Sequence, residues 1–358
     1  MTAPRLEINL DKIRHNAATL VQLLADRGIG VTGITKATCG SPAIAQAFRQ
    51  AGVKVLGDAR LENIEKMRSA KFPAAFHLIR SPMPSQVNRV VLQAVLSFNT
   101  DLAVIHLLSE AASQAGRTHG IILMVELGDL REGIMPRDLE NIVRQAIRLP
   151  NIALKGIGTN LACQHGVIPD FTNMAELSSI VDRVEAKAGH KMDIVSGGNS
   201  GNLDWALGGG EIGRINNLRL GESILLGREP LHRRPLEGLH TDAFSLVAEV
   251  IESKLKPSKP WGKTAQTAFG QRSSTTDRGS LCQTILAIGH QDTDPAGLEA
   301  PSGIKVLGAS SDHLVIESRH CLPAGSEISF LLNYSALLRA MTSPYITQSP
   351  WSTSQNKQ

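Results

Sequence analysis

Short apolar segments alternate with longer amphipathic segments between residues 30 and 226. The short segments are rich in β-branched residues and predict strands, whereas apolar positions that recur every three or four residues predict helices. Eight strands are predicted, at 31–35, 53–57, 76–79, 94–98, 121–126, 154–158, 192–195 and 218–220. Helical patterns lie between them, several ending at Gly, at 41–52, 60–70, 101–116, 136–149 and 174–189. Eight strand–helix units predict an α/β fold, the (β/α)8 TIM barrel. An open doubly wound sheet is less favoured, because no G-x-G-x-x-G turn follows the first strand.

The pattern changes after Pro235, where apolar and polar residues alternate and Gly, Pro, Asp and Ser fill the gaps. Such alternation without intervening helices predicts a C-terminal all-β domain. We therefore divide the chain into a barrel domain at 1–235, a β domain at 236–348 and a disordered tail at 349–358. The opening segment reads as a strand, and residues 1–10 are candidates to pair with the β domain.

Composition narrows the class of protein. With 358 residues, 42% hydrophobic and 20% charged, the chain is globular and large enough for two domains. The net charge is only +4 and aromatic residues make up 4%, so the chain lacks the basic, aromatic-rich composition that is typical of a nucleic-acid-binding protein. No apolar run approaches the ~20 residues of a membrane span, and the start lacks a signal-peptide core, so we expect a cytoplasmic protein without a membrane partner. The four cysteines lie far apart, which argues against a zinc ribbon and a disulfide framework, and no metal site is predicted.

Candidate chemistry follows the predicted strands, because barrel enzymes place reactive groups in the loops after the strands. Lys36 follows the first strand, and Ser196–Ser200 and Gly221 follow the seventh and eighth. Backbone amides and hydroxyls in those last two loops are typical of a phosphate site. A surface lysine and a flexible glycine turn explain these residues equally well when each is taken alone. Together, a lysine facing a phosphate cradle indicates pyridoxal 5′-phosphate, which needs an anchor for its aldehyde and another for its phosphate.

Longer segments extend over nearly the whole chain and resemble one family. They are LEINLDKIRHN, GITKATCGSP, GDARLENI, VELGDLREGI, KGIGTNLACQ, VSGGNSGNLD, LRLGESILLGRE, ILAIGHQDTD, LGASSDHLVIES and LLNYSALLRAMTSPYI. In order and spacing the chain resembles the alanine-racemase-type, fold-type III pyridoxal-phosphate enzymes, and most closely their ornithine-racemase-like branch.

The resemblance implies a role for each matched position. Lys36 would form the Schiff base with pyridoxal phosphate, and Arg219 would contact the pyridine nitrogen and keep it unprotonated. Arg131 would contact the phenolic oxygen and help hold the substrate carboxylate. Asn160 stands where the family has a ring-contacting histidine, so that contact is in doubt. Phosphate contacts match Ser200, Gly221 and Tyr334, and the cofactor set is completed by Ser196, Asn199 and Glu222.

Racemisation needs an acid or base on each face of the substrate Cα, and Lys36 serves one face. Alanine racemases supply a tyrosine for the other face, but the matching segment here, QTAFGQR, has none. The candidates for this second group are Cys39, Cys163, Thr267, His290, Asp292 and His313. We assign Asp292 and His313 provisionally as catalytic, although a structural role is the commoner one for each of the six. Asp292 and Asp294 are alternatively candidates to bind a cationic substrate side chain.

The sequence thus predicts an amino-acid racemase that acts on ornithine or another basic amino acid. The resemblance implies a head-to-tail homodimer with a small-molecule substrate. Two alternatives stay open. One is a non-catalytic pyridoxal-phosphate homeostasis protein, although such proteins lack a β domain. The other is a fold-type III lyase, an aldolase or dehydratase of D-hydroxy amino acids, which usually needs a metal beside the cofactor.

Overall fold

The structure is a computed structural model, and it describes residues 2–71, 73–270 and 276–353. The chain packs into two units, Asp11–Thr241 on the one hand and Met1–Leu10 with Asp242–Gln358 on the other. The first unit reaches beyond residue 235, where the sequence pattern changes. Asn16 explains this difference, because its side-chain amide donates to the carbonyls of Ile224 (3.0 Å) and His240 (2.8 Å) and accepts from the His240 N–H (2.8 Å).

Eight parallel strands close into a barrel in the first unit, which confirms the predicted fold class. Each strand pairs with the next, and the last pairs with the first. Their bounds are β2 (Gly30–Ile34), β3 (Val55–Asp58), β4 (Ala75–Leu78), β5 (Leu96–Asn99), β6 (His119–Val125), β7 (Ile152–Thr159), β8 (Ile194–Asn199) and β9 (Asn217–Leu220). The predicted strands agree with these to within a few residues. The largest difference is at β8, which runs four residues beyond its predicted end.

Helices follow the strands around the barrel. Their bounds are α1 (Leu10–Ala25), α2 (Pro42–Gln50), α3 (Leu61–Ser69), α4 (Val87–Gln93), α5 (Leu102–Gln114), α6 (Pro136–Ala146), α7 (Phe171–Ala188), α8 (Leu203–Leu207) and α9 (Glu222–Leu226). Among these described helices none is both long and apolar enough to cross a membrane. Helix α7 ends at Gly189 in the left-handed conformation (φ 62°), as its sequence predicts, and begins three residues before its predicted start, with a capping box between Asp170 and Asn173.

The barrel interior is filled by apolar side chains from neighbouring strands. Leu96 and Phe98 of β5 pack with Ile122 and Met124 of β6, and all four are buried. This packed layer makes the barrel a solid core, which is the usual state of a closed eight-stranded parallel barrel. Ligands are therefore accommodated at the strand ends rather than along the barrel axis.

Two histidines are buried in the strands of this unit. His119 lies 2.8 Å from the Ser97 hydroxyl through its Nε2, and His77 is the third residue of β4. The pKa of each imidazole is lowered to about 4, by burial in both cases and, for His77, also by the proximity of His119. In the unfolded chain a histidine titrates near 6.5, so between these values the unfolded state binds more protons than the folded state.

Acidification from pH 7 to pH 5 is therefore expected to destabilise the protein by about 2 kcal/mol for each of these two imidazoles. Urea unfolding at both pH values measures the loss. His119→Gln keeps an amide for Ser97 but does not titrate, so its loss of stability should be smaller by about 2 kcal/mol. His106→Gln removes an exposed histidine and is the matched control. Identical losses in His119→Gln and the unmodified protein would contradict the assignment.

The second unit is built on antiparallel strands. They are β1 (Arg5–Asn9), β10 (Phe244–Pro257), β11 (Ser280–Leu286), β12 (Leu298–Glu299), β13 (Ile304–Ala309), β14 (Leu314–Ser318), β15 (Glu327–Leu332) and β16 (Thr347–Trp351). Six of them pair in the order β12-β15-β10-β11-β14-β13. Strand β1 pairs antiparallel with β10, with Leu6 opposite Leu246, and parallel with β16. The opening strand therefore belongs to the sheet of the C-terminal segment.

Three features of this unit differ from the sequence interpretation. A helix, α10 (Tyr334–Thr342), follows β15 where only strands are predicted, and Asn333 caps it by accepting from the Ala336 N–H (2.9 Å). Strand β16 covers residues 349–351, where a disordered tail is predicted; residues 354–358 lie outside the described residues. Cys282 and Cys321 form a disulfide, although they are 39 residues apart in the sequence. The pairing of Cys282 in β11 with Ser318 in β14 brings the two together, and spacing alone does not show this.

Candidate active site at the carboxyl end of the barrel

Lys36 lies in the first turn after strand β2, as predicted. It begins a single 3₁₀ turn, Lys36–Thr38, that is tied to strand β3 through the preceding residue. The Thr35 hydroxyl donates to Asp58 Oδ2 (2.7 Å), and the other Asp58 oxygen accepts from the Arg60 N–H (2.8 Å) and from Asn63 Nδ2 (3.0 Å). Burial raises the pKa of Asp58, and these donors oppose that effect. A fully buried carboxylate thus fixes the backbone from which Lys36 projects.

The far side of this turn depends on a glycine. Gly40 has a φ of +59°, and a Cβ at this position would lie 2.9 Å from the backbone Cα of Asn63. Any other residue type at position 40 would displace the backbone at Asn63, whose side chain donates a hydrogen bond to Asp58. The Lys36 side chain itself is exposed. The prediction of a poorly solvated lysine is therefore wrong, because the 3₁₀ turn carries residue 36 beyond the apolar end of the strand.

Arg219 is the buried cation of the site. It lies near the end of β9, is 5% exposed, and stacks its guanidinium over the Phe98 ring at 5.2 Å. It donates to Ser196 Oγ (2.6 Å), the Thr159 carbonyl (2.8 Å) and Asn160 Oδ1 (3.0 Å). Burial lowers its pKa to about 10, which still leaves it positively charged at neutral pH. The guanidinium is thus held in one orientation by strands β7, β8 and β9.

Ser196 belongs to the support of Arg219 and not to the loop above it. Its hydroxyl is fully buried, accepts from Arg219 and donates to Asn217 Oδ1 (2.8 Å). The Asn217 amide in turn donates to Thr32 Oγ1 (3.0 Å). Strand β8 continues through residue 199 and places this hydroxyl inside the barrel, so Ser196 does not lie in a loop as the sequence predicts, and its contact with the cofactor stays a prediction.

Asn160 has an unfilled hydrogen-bond donor. Its Oδ1 accepts from both Arg219 and Asn199 (3.1 Å), which fixes which end of the amide is the oxygen. The Nδ2 is then buried without a partner among the described residues. Buried donors without partners are rare in native structures. The Asn160 amide beside the buried Arg219 cation therefore offers a donor to an acceptor that the described residues do not supply.

The loops after β8 and β9 meet at Ser200. Its hydroxyl lies 3.0 Å from the Ser223 hydroxyl and accepts from the N–H groups of Ser223 (3.2 Å) and Gly221 (3.4 Å). Asn199 braces the same loop by accepting from the Gly201 N–H (2.8 Å) and donating to the Leu161 carbonyl (2.8 Å). The structure thus brings the predicted residues Asn199, Ser200 and Gly221 together at one side of the barrel opening.

The loop after β6 carries Arg131, and Asp129 anchors it. Asp129 is fully buried and accepts from the N–H groups of Cys163, Gln164, His165 and Val167 in the loop after β7. Burial alone would raise the pKa of Asp129, but these four donors lower it below its ordinary value. One carboxylate therefore holds two loops together and sets the backbone two residues before Arg131.

Arg131 forms an ion pair with its neighbour Glu132. The side chains remain 39% and 29% exposed, respectively. Both charges act on the buried guanidinium of Arg219. Burial lowers the pKa of Arg219, Glu132 raises it, and Arg131 lowers it further. Arg131 and Glu132 thus belong to the same electrostatic environment as Arg219.

Glu222 lies beside the predicted lysine. It follows Gly221, pairs with Arg233, and keeps 14% of its side chain exposed. Burial raises its pKa, whereas the charges of Arg233 and Lys36 lower it. The loops after β2 and β9 therefore approach each other closely enough for Lys36 to affect this carboxylate.

The second-base candidates are divided between the units. Cys39 and Cys163 lie in the barrel unit: Cys39 has a left-handed backbone (φ 49°), and Cys163 is exposed with its sulfur 3.6 Å from Asn199 Nδ2. Burial raises the pKa of the Cys39 thiol. Cys163 is thus the candidate that contacts the loop with Ser200.

The other candidates lie in the second unit. His313 is in the turn between β13 and β14, with Nδ1 2.8 Å from Asp312 Oδ1. The His290 ring packs on Phe269 at 4.1 Å between centroids, so part of the QTAFGQR segment lies against GHQDTD. Thr267 is exposed, and Gln271 and Arg272 lie outside the described residues. Tyr334 is the first residue of α10 and is half-buried.

Asp292 has a structural role. It is 6% exposed, and its two oxygens accept from the Gly289 N–H (3.0 Å) and the Ser343 hydroxyl (3.0 Å). The carboxylate thus ties one turn to the end of α10, and a catalytic or substrate-binding role for Asp292 stays a prediction. Asp294 is also engaged, because it accepts from the Ala296 N–H (3.2 Å) and the Ser335 hydroxyl (2.6 Å).

Comparison with known proteins agrees with this geometry. The family model described as the alanine racemase N-terminal domain matches residues 8–229. A lysine racemase from Thermotoga maritima is 39% identical over 350 residues, which is 97% of this chain and 98% of the relative. The chain belongs to the alanine racemase family. An ornithine racemase from Acetoanaerobium sticklandii is 37% identical over 349 residues, covering 96% of this chain and 98% of that one. The prediction of a racemase is thereby confirmed.

Solved structures of the alanine racemase family share the fold. The alanine racemase from Streptomyces lavendulae has a TM-score of 0.75 at 18% identity, covering 98% of both chains. The alanine racemase from Bartonella henselae, with covalently bound pyridoxal phosphate, also has a TM-score of 0.75 at 18% identity and covers 98% of this chain and 100% of that one. A D-threonine aldolase from Filomicrobium marinum has a TM-score of 0.72 at 17% identity, covering 95% and 88%. The fold is therefore common to racemases and a lyase.

Enzymes of the alanine racemase family use pyridoxal phosphate, and the residues of this site fit that cofactor. The unfilled Asn160 donor and the buried Arg219 cation suit an electron-rich aromatic ring with polar substituents. Lys36 supplies an amine, and the Gly221–Ser223 and Ser200 loops supply amides and hydroxyls. No cluster of three or more His, Cys, Asp or Glu side chains in the described ranges is arranged to hold a metal ion.

Three groups of this site escape sequence reasoning. Asp58, Asp129 and Glu132 each follow a predicted strand, but a carboxylate next to a turn is too common to stand out. Burial together with several backbone donors distinguishes Asp58 and Asp129, and only the fold shows it. Sequence reasoning could have selected Glu132, since it is the neighbour of the predicted site residue Arg131.

Proposed function

We propose that this protein is a pyridoxal-phosphate-dependent racemase that interconverts the L- and D-enantiomers of ornithine or lysine. One observation carries the proposal: a lysine on a fixed turn shares a barrel opening with a buried arginine and an asparagine donor that has no partner in the described part of the chain. The two relatives that match along nearly the whole chain are a lysine racemase and an ornithine racemase, and they support a basic substrate.

Lys36 would attach the cofactor and exchange the Cα proton on one face. Arg219 would face the ring nitrogen, and because it stays charged it would leave that nitrogen without a proton. The Asn160 amide would donate to another acceptor of the ring. Ser200 and Gly221, with Tyr334 as the resemblance implies, would contact the phosphate, and Asn199 and Glu222 would complete the set of residues around the cofactor. The cofactor supplies an electron-withdrawing ring that acidifies the Cα proton.

Arg131 would hold the substrate carboxylate, since a guanidinium matches two carboxylate oxygens. The second proton-transfer group would come from Cys39, Cys163, Thr267, His290, Asp292 or His313. We also propose the head-to-tail homodimer that the resemblance implies. The second unit exposes large apolar side chains of the kind that an assembly covers: Leu255, Trp261, Phe269, Tyr345 and Trp351.

The test is chiral analysis of product. Purified protein supplied with pyridoxal phosphate and either L-ornithine or L-lysine is expected to produce the D-enantiomer until both forms are equal. Equality follows because enantiomers have the same free energy in water. The reverse reaction from each D-enantiomer should reach the same mixture.

Other outcomes of this assay would contradict the proposal. A change in the cofactor spectrum without any D-enantiomer from any common amino acid would favour a cofactor-binding homeostasis protein. Cleavage of D-hydroxy amino acids that a chelator abolishes would favour a lyase.

A further inference from the structure

A basic amino acid brings three charges into the site: its carboxylate, its α-amine and a second ammonium at the end of its side chain. The side-chain ammonium needs an anionic partner, because a desolvated charge without one is strongly unfavourable. A carboxylate is the ordinary protein partner of an ammonium. The question is which carboxylate at the barrel opening is available.

Most described carboxylates around the opening are occupied by backbone amides. Asp58 and Asp129 accept from the chain as described above. Glu126 accepts from the N–H groups of Gly128 (2.6 Å) and Leu130 (3.0 Å). Glu229 accepts from those of Leu231, His232 and Arg234. These four groups fix loops, and a ligand could engage them only by breaking those contacts.

Two carboxylates have a different environment, because their hydrogen-bond partners among the described residues are arginine side chains. They are Glu132, paired with Arg131, and Glu222, paired with Arg233. Glu222 adjoins Gly221 and Lys36, at the proposed phosphate and amine anchors, where a second ammonium would compete with the cofactor. Glu132 adjoins Arg131, the proposed carboxylate anchor, and its side chain is 29% exposed.

We propose that Glu132 binds the side-chain ammonium of the substrate and so selects basic amino acids. This inference rests on the proposed function and names the group behind its substrate class. Without substrate, Arg131 and Glu132 pair with each other. When the substrate binds, its carboxylate pairs with Arg131 and its distal ammonium pairs with Glu132. One ion pair is exchanged for two. Breaking the Arg131–Glu132 pair costs little free energy, since ion pairs that remain partly exposed contribute little stability by themselves.

A matched pair of ligands tests this assignment without any turnover. 6-Aminohexanoate carries the carboxylate and the distal ammonium of lysine but lacks the α-amine, and hexanoate lacks the ammonium as well. Calorimetric titration of the cofactor-loaded protein is expected to show at least roughly tenfold tighter binding of 6-aminohexanoate. In Glu132→Gln this preference should fall to about twofold or less, whereas Glu132→Asp should retain part of it.

Kinetics provide a second test of the same preference, in the ratio of kcat/KM for L-lysine to kcat/KM for L-norleucine. This ratio should fall roughly tenfold or more in Glu132→Gln, mainly because KM for L-lysine rises. Glu140→Gln is the matched control. Glu140 pairs with Arg183 and Lys187 on the outer helices, so its loss should change neither ratio. Thermal unfolding establishes that each variant is folded.

The outcomes separate the two proposals. An unmodified protein that racemises no amino acid would overturn the proposed function, while the ligand preference would still test Glu132. Glu132→Gln with an unchanged preference for 6-aminohexanoate would overturn the assignment of Glu132, whatever the racemase assay shows. No preference in the unmodified protein would overturn it as well.

Discussion

Lys36→Ala is expected to lower the rate of racemisation by at least about 1000-fold. In its proposed roles Lys36 both attaches the cofactor and acts as the acid or base on one face of Cα, and the second role alone is typically worth about 10²–10⁴-fold. The fold should tolerate it, because the Lys36 side chain is exposed. The Thr35–Asp58 hydrogen bond holds the turn through its backbone neighbour and does not involve the lysine side chain.

Two measurements check this result. Chiral chromatography gives the rate, and borohydride reduction followed by peptide mass spectrometry shows whether the cofactor is attached at residue 36. Lys155→Ala is the matched control, because Lys155 lies on β7 and pairs with the exposed Asp193 (2.9 Å). It should retain full activity and a labelled Lys36 peptide. Attachment at another lysine, or substantial racemisation by Lys36→Ala, would contradict the proposed role.

The barrel is predictable from the sequence because its signal is repeated. Each strand is a short buried segment, and each large helix has an apolar face, so eight weak signals reinforce one another. The second unit is harder to predict. Helix α10 begins at Tyr334 directly after an apolar strand, so the periodicity of the strand hides the helix start that Asn333 caps. Strand β16 contains Pro350, and a proline in a short polar segment argues against a strand.

The site is predictable where position along the chain decides it. Lys36, Asn160 and Gly221 each follow a strand, and the barrel gathers strand ends at one side. Prediction of a residue's surroundings fails where the end of a strand is misplaced or where contacts between distant parts of the chain determine burial and hydrogen bonding. Ser196 was assigned to a loop because β8 is longer than its apolar segment, and Asp292 has partners 3 and 51 residues away. Neither its burial nor those partners can be derived from the residues around it.

Arg219 combines a stability role with a chemical one. Its guanidinium donates to three acceptors, Ser196 on β8, Thr159 at the end of β7 and Asn160 directly after β7, and Asn160 is the one at the proposed ring contact. Burial of the charge costs free energy, as its lowered pKa shows, so an uncharged residue of similar size need not unfold the barrel. Arg219→Gln therefore allows the chemical role to be tested in a folded protein.

Arg219→Gln is expected to lower kcat for racemisation by roughly 100-fold and to raise the share of keto acid among the products. In the proposed role of Arg219, its charged guanidinium would keep the ring nitrogen without a proton, whereas a glutamine would not, and a protonated ring would favour transamination over return of the proton to Cα. Enzymatic assay of the keto acid, together with chiral analysis of the amino acid, measures the ratio of the two products.

Arg219→Lys is the matched variant, since it retains the positive charge but not the guanidinium group that donates to Ser196, Thr159 and Asn160. If the charge is what matters, Arg219→Lys should lose rate while keeping the keto-acid share low. An unchanged product ratio in Arg219→Gln would show that this arginine orients its neighbours and does not control the ring.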